Sequence, residues 1–438
     1  MRGGGGPMLL SFRVANHRSL RGEQQLLLTP SYTADGPPGA GWEAVPVIGI
    51  FGPNASGKSN VLDAMLYMRN LVQGSLRESE PDAGIRRHPF AADAAAHDEP
   101  STYVVDLLLG GVQYTYGLSV NDAQVVEEWM YSYPHKVKRT VFHRKLDEYS
   151  YGEHSPHSMR QVGDITASNV LYLSVAARSK QMVVRPVYDW FAGLLDRSLA
   201  AGRFSDDAAM TGAVDRRGYL ERLTRLLRAA DTGIESAELV EETPAEFAKR
   251  SGNVKSADGY RGMPRKYLVF RHRGEGSTFS LRLHDQSLGT RALYEIGIPV
   301  FRALDRGVPL IVDELDSSLH PYLSAQLIRL FSDPATNPRG AQLVFTSHDA
   351  TLLGRIQGEE VLHRDHIWFT EKNEYGETEL FPLSEFKPRR DENRARRYLA
   401  GRYGAVPIVT DDLFAAALAT RGEGDDDSSG APDQEGQP

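Results

Sequence analysis

Val47-Ile48-Gly49-Ile50-Phe51-Gly52-Pro53-Asn54-Ala55-Ser56-Gly57-Lys58-Ser59-Asn60 is the stretch that decides the fold. Its first five residues are an apolar run of the length of a buried strand. Gly52 to Ser59 then fits G-x-x-x-x-G-K-[ST], and Val61, Leu62, Met65, Leu66, Met68 and Leu71 recur behind it at helical spacing. Strand, glycine loop and helix in that order make an anion cradle. The glycines let backbone N–H groups turn inward, and the helix N-terminus adds a favourable potential for phosphate oxygens. Asn54, Ala55, Ser56, Gly57, Lys58, Ser59 and Asn60 are therefore the candidate nucleotide-binding residues. Lys58 is expected to reach the β- and γ-phosphates, and the Ser59 hydroxyl to hold Mg²⁺.

Further along, Leu310-Ile311-Val312-Asp313-Glu314 is an apolar run that ends in two adjacent acids. A buried strand does not carry paired carboxylates unless they serve an ion or a reaction. Asp313 is expected in the outer shell of the magnesium, and Glu314 beside the attacking water. Before this run lies Gln286-Ser287-Leu288-Gly289-Thr290-Arg291, which leads into a helical pattern. After it come Leu315-Asp316-Ser317-Ser318-Leu319-His320-Pro321 and a second buried run, Leu343 to Ser347, closed by His348.

In this order and spacing the pieces resemble the signature motif, Walker B strand, D-loop and switch histidine of ABC-type ATPase heads. The resemblance implies ATP and Mg²⁺ as ligands and Glu314, Lys58 and His348 as the catalytic set. It also implies a homodimer, because in such heads Ser287 and Gly289 of one copy would close on the γ-phosphate held by Lys58 of the other. Asn16-His17-Arg18-Ser19-Leu20 is similar to the Asn-x-[RK]-[ST] strand end of SMC- and RecF-like heads, which carries Arg18 and Ser19 over as nucleotide-proximal residues. No Q-loop glutamine is placed; Gln113 falls in a hairpin.

About 250 residues separate the two halves, and no sustained heptads occur between them. A long coiled-coil arm is thereby excluded. From Met8 to about Val409 the chain resembles compact bacterial AAA/ABC-type ATPases of the RloA and AriA kind. That likeness rests on Leu9 to Ser19, Asp313 to Pro321 and Tyr398 to Ala405. It implies a role in phage defence beside a separate TOPRIM-type or nuclease-like effector. The alternative is a RecF-like repair or chromosome-maintenance ATPase acting on DNA, and a third reading is a nucleotide-held scaffold.

The expected fold class is α/β: a P-loop NTPase with an ABC/SMC-like head, an N-terminal antiparallel β lobe and a helical insertion. Residues 1–7 read as a disordered leader, 8–165 as the N-terminal ATPase lobe, 166–264 as a mainly helical insertion, 265–420 as the C-terminal ATPase lobe and 421–438 as a disordered acidic tail. Two β-rich runs around Gly110-Gly111 predict a hairpin between Tyr103 and Val120. Leu10, Phe12 and Val14 alternate as in a half-buried strand, with Gln24 to Leu28 as its partner.

Composition agrees with this class. The formal net charge is -8, of which the tail from Arg421, with six acids and one base, carries -5. The remaining body is near neutral, so any nucleic-acid contact must be a local patch. Arg216, Arg217, Arg222, Arg225 and Arg228 form one face of a helical stretch, which reads first as a solvated surface. Lys387, Arg389, Arg390, Arg394, Arg396 and Arg397 form a second basic group interleaved with acids, read first as an ion-pair network. There is no cysteine, which suits a reducing cytoplasm, and no apolar run is long enough for a bilayer.

Overall fold

The computed structural model describes residues 6–32, 43–80, 83–198, 218–230, 232–243, 265–389, 392–407 and 416. Residues 1–5 of the leader, Arg216 and Arg217, Arg390, most of the stretch 241–264 and the acidic tail lie outside the described residues. Along the chain the strands run β1 (Met8–Ala15), β2 (Gln24–Leu27), β3 (Val47–Phe51), β4 (Ser101–Leu109), β5 (Val112–Val120), β6 (Val125–Tyr133), β7 (Arg139–Lys145) and β8 (Glu148–Tyr151). They continue as β9 (Leu195–Ser198), β10 (Ile234–Glu242), β11 (Arg265–Arg273), β12 (Thr278–Arg282), β13 (Leu310–Asp313), β14 (Leu343–Ser347), the two-residue pair β15 (Arg355–Ile356) and β16 (Glu359–Glu360), β17 (Ile367–Lys372) and β18 (Thr378–Pro382).

A six-stranded sheet of order β18-β17-β3-β14-β13-β9 carries the chemistry. All its pairings are parallel except β17 with β18. Successive side chains of a strand point to opposite faces, and here the two faces feed two separate cores. Ile48, Ile50, Ile311 and Val344 join one apolar cluster with helix Lys58–Glu78 and the N-terminal lobe. Val47, Phe51, Leu310, Val312, Leu343 and Phe345 join the other, with helices Leu288–Arg306 and Pro321–Ser332.

The N-terminal lobe is a seven-stranded antiparallel sheet of order β2-β1-β4-β5-β6-β7-β8. The expected hairpin is β4–β5, turned by Gly110 and Gly111 at φ 58° and 79°, values that favour residues without a side chain. One glutamine fastens this lobe to the parallel sheet. The Gln342 side chain accepts from Leu9 N at 2.7 Å and donates to Leu9 O at 3.0 Å, so β1 is held beside the start of β14.

Among the described residues of the stretch 166–264, helices and strands both occur. Helices Tyr172–Arg178, Arg185–Gly193 and Tyr219–Ala229 occur there, but so do β9, which pairs with β13 at the sheet edge, and β10, which joins β11 and β12 in a three-stranded sheet. Among the described residues no helix is long and apolar enough to cross a membrane.

Helix Tyr172–Arg178 is seated by a buried charge. Glu128 on β6 accepts from the backbone N–H groups of Tyr172 at 2.7 Å and Leu173 at 2.9 Å and from the Tyr116 hydroxyl at 3.0 Å. Arg144, fully buried, lies 4.0 Å away and donates to the carbonyls of Leu146 and Val170. Glu128→Ala orphans two helix N–H groups and the Tyr116 hydroxyl and leaves the guanidinium without its counter-charge. It is expected to cost about 3–5 kcal/mol, read as a lower urea midpoint; an unchanged midpoint would mean the helix is held by packing alone.

Candidate nucleotide-binding site

β3 ends at Phe51 and the chain curls from Gly52 to Gly57 before helix Lys58–Glu78 begins. Gly57 has φ 102°, a region that L side chains rarely enter. A Cβ there would also run into Thr378 Oγ1, and one at Gly52 would lie 2.5 Å from the Thr370 carbonyl. No side chain caps the helix and its first turn holds no acid. Its leading N–H groups therefore remain available to an anion.

The loop rests on four hydroxyls, of which sequence reasoning did not find two, Thr370 and Thr378. Thr378 Oγ1 donates to Ser56 O at 2.8 Å and lies 2.7 Å from Ser19 Oγ, which accepts from Asn60 Nδ2 at 2.6 Å. Ser56 Oγ and Thr370 Oγ1 are 2.7 Å apart. All four hydroxyl residues are buried. Ser19, expected beside the nucleotide, thus braces the loop from below, and Asn60 braces Ser19. Thr370 and Thr378 sit on β17 and β18 and carry no motif that could have announced them.

Lys58 donates to the carbonyls of Gly52 at 2.8 Å and Pro53 at 2.9 Å. Burial pushes its pKa down, against the opposing pull of Glu314, Asp313 and Asp316. Asp313 Oδ1 accepts from Ser59 Oγ at 3.0 Å and Thr346 Oγ1 at 2.6 Å. The serine and the acid expected to share a magnesium are therefore in contact, and the oxygen donors and charge suit a hard dication. Thr346 Oγ1 also accepts from Glu314 N at 2.7 Å, which helps hold Glu314 at φ 51°. β14 lies between β3 and β13, and its Thr346 ties both acids, Asp313 by its side chain and Glu314 by its N–H, to that strand.

His348, 52% exposed along its side chain, places Nε2 3.3 Å from Asp316 Oδ2. The other carboxylate oxygen of Asp316 is buried and has no hydrogen-bond partner among the described residues. Gly52 to Ser56, His348, Glu371 and Lys372 line a cleft of about 810 Å³, whose apolar lip is formed by Tyr398, Leu399, Val406 and Pro407. Ser287 and Gly289 do not line it. Ser287 instead caps helix Leu288–Arg306, accepting from Thr290 N at 3.1 Å. A Cβ on Gly289 would lie 3.1 Å from Ser318 O, so the turn abuts the D-loop.

Arg18 has φ 51° and its Nε donates to Asp63 Oδ2 at 2.5 Å, beside buried His17 at 2.9 Å from the same oxygen. Burial alone would raise the Asp63 carboxyl, but these two hydrogen bonds outweigh it and hold the group below its usual range. Gln113 lies within β5, paired with β4 and β6. Arg222 is paired with Asp305 and Arg225 with Glu221; Arg394 is paired with Glu360 and Arg397 with Glu392.

A glycine cradle, a buried lysine, a serine–aspartate contact and a strand-end glutamate on a mostly parallel sheet fit a P-loop ATPase domain of the AAA/ABC type. The chain belongs to the family described as "AAA domain, putative AbiEii toxin, Type IV TA system", whose profile matches residues 47–354. No curated protein matches it. Among solved structures, an SMC head bound to the C-terminal winged-helix domain of ScpA is similar at 11% identity and TM-score 0.46, over 86% of this chain and 99% of that one. The SMC head domain from Thermotoga maritima is similar at 14% identity and TM-score 0.38, over 85% and 98%.

Gly57→Ala adds both a disfavoured φ and a clash with Thr378. Nucleotide affinity is expected to fall roughly tenfold or more while the circular dichroism spectrum stays that of the parent. Equal affinity in a fluorescent-ATP titration would show that the loop can retreat from β18.

Proposed function

We propose that the protein hydrolyses ATP between two copies arranged head to head, and that the resulting dimer cycle controls a separate effector in bacterial anti-phage defence. The observation that carries the first half is the contact between Ser59 and Asp313, with Glu314 next in sequence and Lys58 behind the loop. Mg²⁺ held at Ser59 and Asp313 would supply positive charge against the phosphate oxygens.

Lys58 leaves the carbonyls of Gly52 and Pro53 for the β- and γ-phosphates, exchanging two neutral acceptors for charged ones. Glu314 orients a water and takes its proton as the water oxygen bonds to the γ-phosphorus. The bond from that phosphorus to the bridging oxygen breaks, leaving ADP and phosphate. His348, freed from Asp316, donates to the γ-phosphate. Ser287 and Gly289 lie off the cleft of their own chain and serve the nucleotide of the partner copy. Positioning and charge stabilisation do most of the work, as in phosphoryl transfer generally.

The defence half is supported by the family's printed description as a toxin–antitoxin component and by the sequence likeness to compact defence ATPases. The DNA-repair reading has less support, since Arg222, Arg225, Arg394 and Arg397 are each spent on a carboxylate of the same chain.

Glu314→Gln is expected to keep ATP affinity, lose roughly 10²–10⁴-fold in hydrolysis and sediment as a trapped dimer with ATP. Lys58→Ala is expected to lose binding. Parental turnover in Glu314→Gln would sink the assignment of the base, and an ATP-saturated monomer would sink the head-to-head arrangement. For the defence role, co-expression with the neighbouring gene product is the measurement: a toxicity that Glu314→Gln alters supports it, and a partner with no toxic effect speaks against it.

A further inference from the structure

Leu288 stands between the two residues expected to reach across to the partner's nucleotide, yet it is 54% exposed at the first position of its helix. The turn around it is otherwise satisfied: Ser287 is bonded to Thr290, and Gly289 is pressed against Ser318. Nothing polar in that turn explains a large apolar side chain held outward.

The cleft beside the phosphate loop has a matching feature. Gly52 to Ser56 and His348 line it together with Glu371 and Lys372, and Tyr398, Leu399, Val406 and Pro407 supply its apolar lip. Leu399 is 70% exposed at the end of helix Arg394–Leu399. That helix is held rigidly from behind. Arg394 is buried, donates to Leu362 O at 3.0 Å and pairs with Glu360 at 2.9 Å, while the Tyr398 hydroxyl donates to Ala405 O at 2.8 Å. An apolar lip fixed in this way beside a polar loop is a preformed half-pocket.

We infer that Leu288 of one copy seats against Leu399 and Val406 of the other, so that the C-terminal segment 394–407 is the receptor for the partner's signature turn. The inference rests on the head-to-head reading. If Ser287 and Gly289 approach the γ-phosphate beside the partner's His348, the residue between them enters the cleft that His348 and the loop share with the apolar lip. Two-fold symmetry repeats the contact, so each dimer buries two copies of it. Before closure both leucines are wet. Burying them favours the dimer without touching the phosphate, which gives the interface an apolar anchor beside its polar centre.

The chain has no cysteine, so single thiols report cleanly. Leu288→Cys and Leu399→Cys, each in the Glu314→Gln background, are mixed with ATP and Mg²⁺ and treated with a short bismaleimide, with sedimentation run in parallel. A heterologous 288–399 cross-link that needs ATP is the expected result. Leu399→Asp is expected to weaken the dimer at saturating ATP roughly tenfold or more, and Leu399→Met to restore it. An ATP-dependent dimer without the 288–399 cross-link, or a cross-link indifferent to nucleotide, overturns this inference and leaves the head-to-head reading standing. Absence of any ATP-dependent dimer overturns both.

Discussion

Gly57 has room for no side chain because Thr378 and Ser19 stand directly against it, and much of the site's geometry follows from that crowding. A glycine loop by itself is floppy, since glycine loses more conformational freedom on folding than any other residue. Here the loop is clamped by strands more than three hundred residues away in sequence: Thr370 reaches Ser56 Oγ and Thr378 reaches Ser56 O. The same Thr378 offers its backbone N–H to Ser19 O at 2.7 Å. The two sides of the loop, the N-terminal lobe and the β17–β18 hairpin, are thus tied to each other through the ring of donors that would hold phosphate. Pre-organisation of this kind lowers the entropy lost when a ligand binds.

The division of the parallel sheet into two cores has a mechanical consequence. Lys58 and Ser59 ride on the helix packed with the N-terminal lobe, whereas the helix of the signature turn packs on the opposite face. Asp313 and Thr346 sit at the sheet between them and touch Ser59 directly. A change at Ser59 can therefore reach the strand ends that both cores share through one short chain of hydrogen bonds, without deforming either apolar core, which close packing makes stiff.

What the sequence disclosed and what it hid differ for a physical reason. Chemistry that needs contiguous residues leaves a contiguous pattern, so Gly52 to Ser59, Asp313-Glu314 and the β4–β5 turn were readable. β9 was not: Leu195–Ser198 is four residues with one apolar side chain, and its strand character comes from pairing with β13. β10 also escaped, because its alternation is filled with glutamates that meet arginines and a lysine on β11, as Glu235 with Arg273, Glu238 with Arg271 and Glu241 with Lys266. Such cross-strand pairs stabilise a sheet without an apolar signature. Thr370 and Thr378 were the costliest omission for the site, since a threonine in a strand is ordinary until its neighbour across space is known.

On the proposed head-to-head reading, charge gives the second copy something to supply. Three carboxylates, Asp313, Glu314 and Asp316, act on Lys58, so the site is already rich in negative charge before any phosphate arrives. A dication at Ser59 offsets part of it. The rest must come from dipoles, and helices Lys58–Glu78 and Leu288–Arg306 both begin with a first turn free of acids. The first follows directly on the loop that lines the cleft, whereas Ser287, which caps the second, does not line it. In the proposed head-to-head arrangement the second would be brought up from the partner, and the γ-phosphate would lie between two positive helix ends, each worth most where water is excluded. Hydrolysis would remove the group they share, and the two ends would then face each other with less negative charge between them. That repulsion gives the cycle a reason to open.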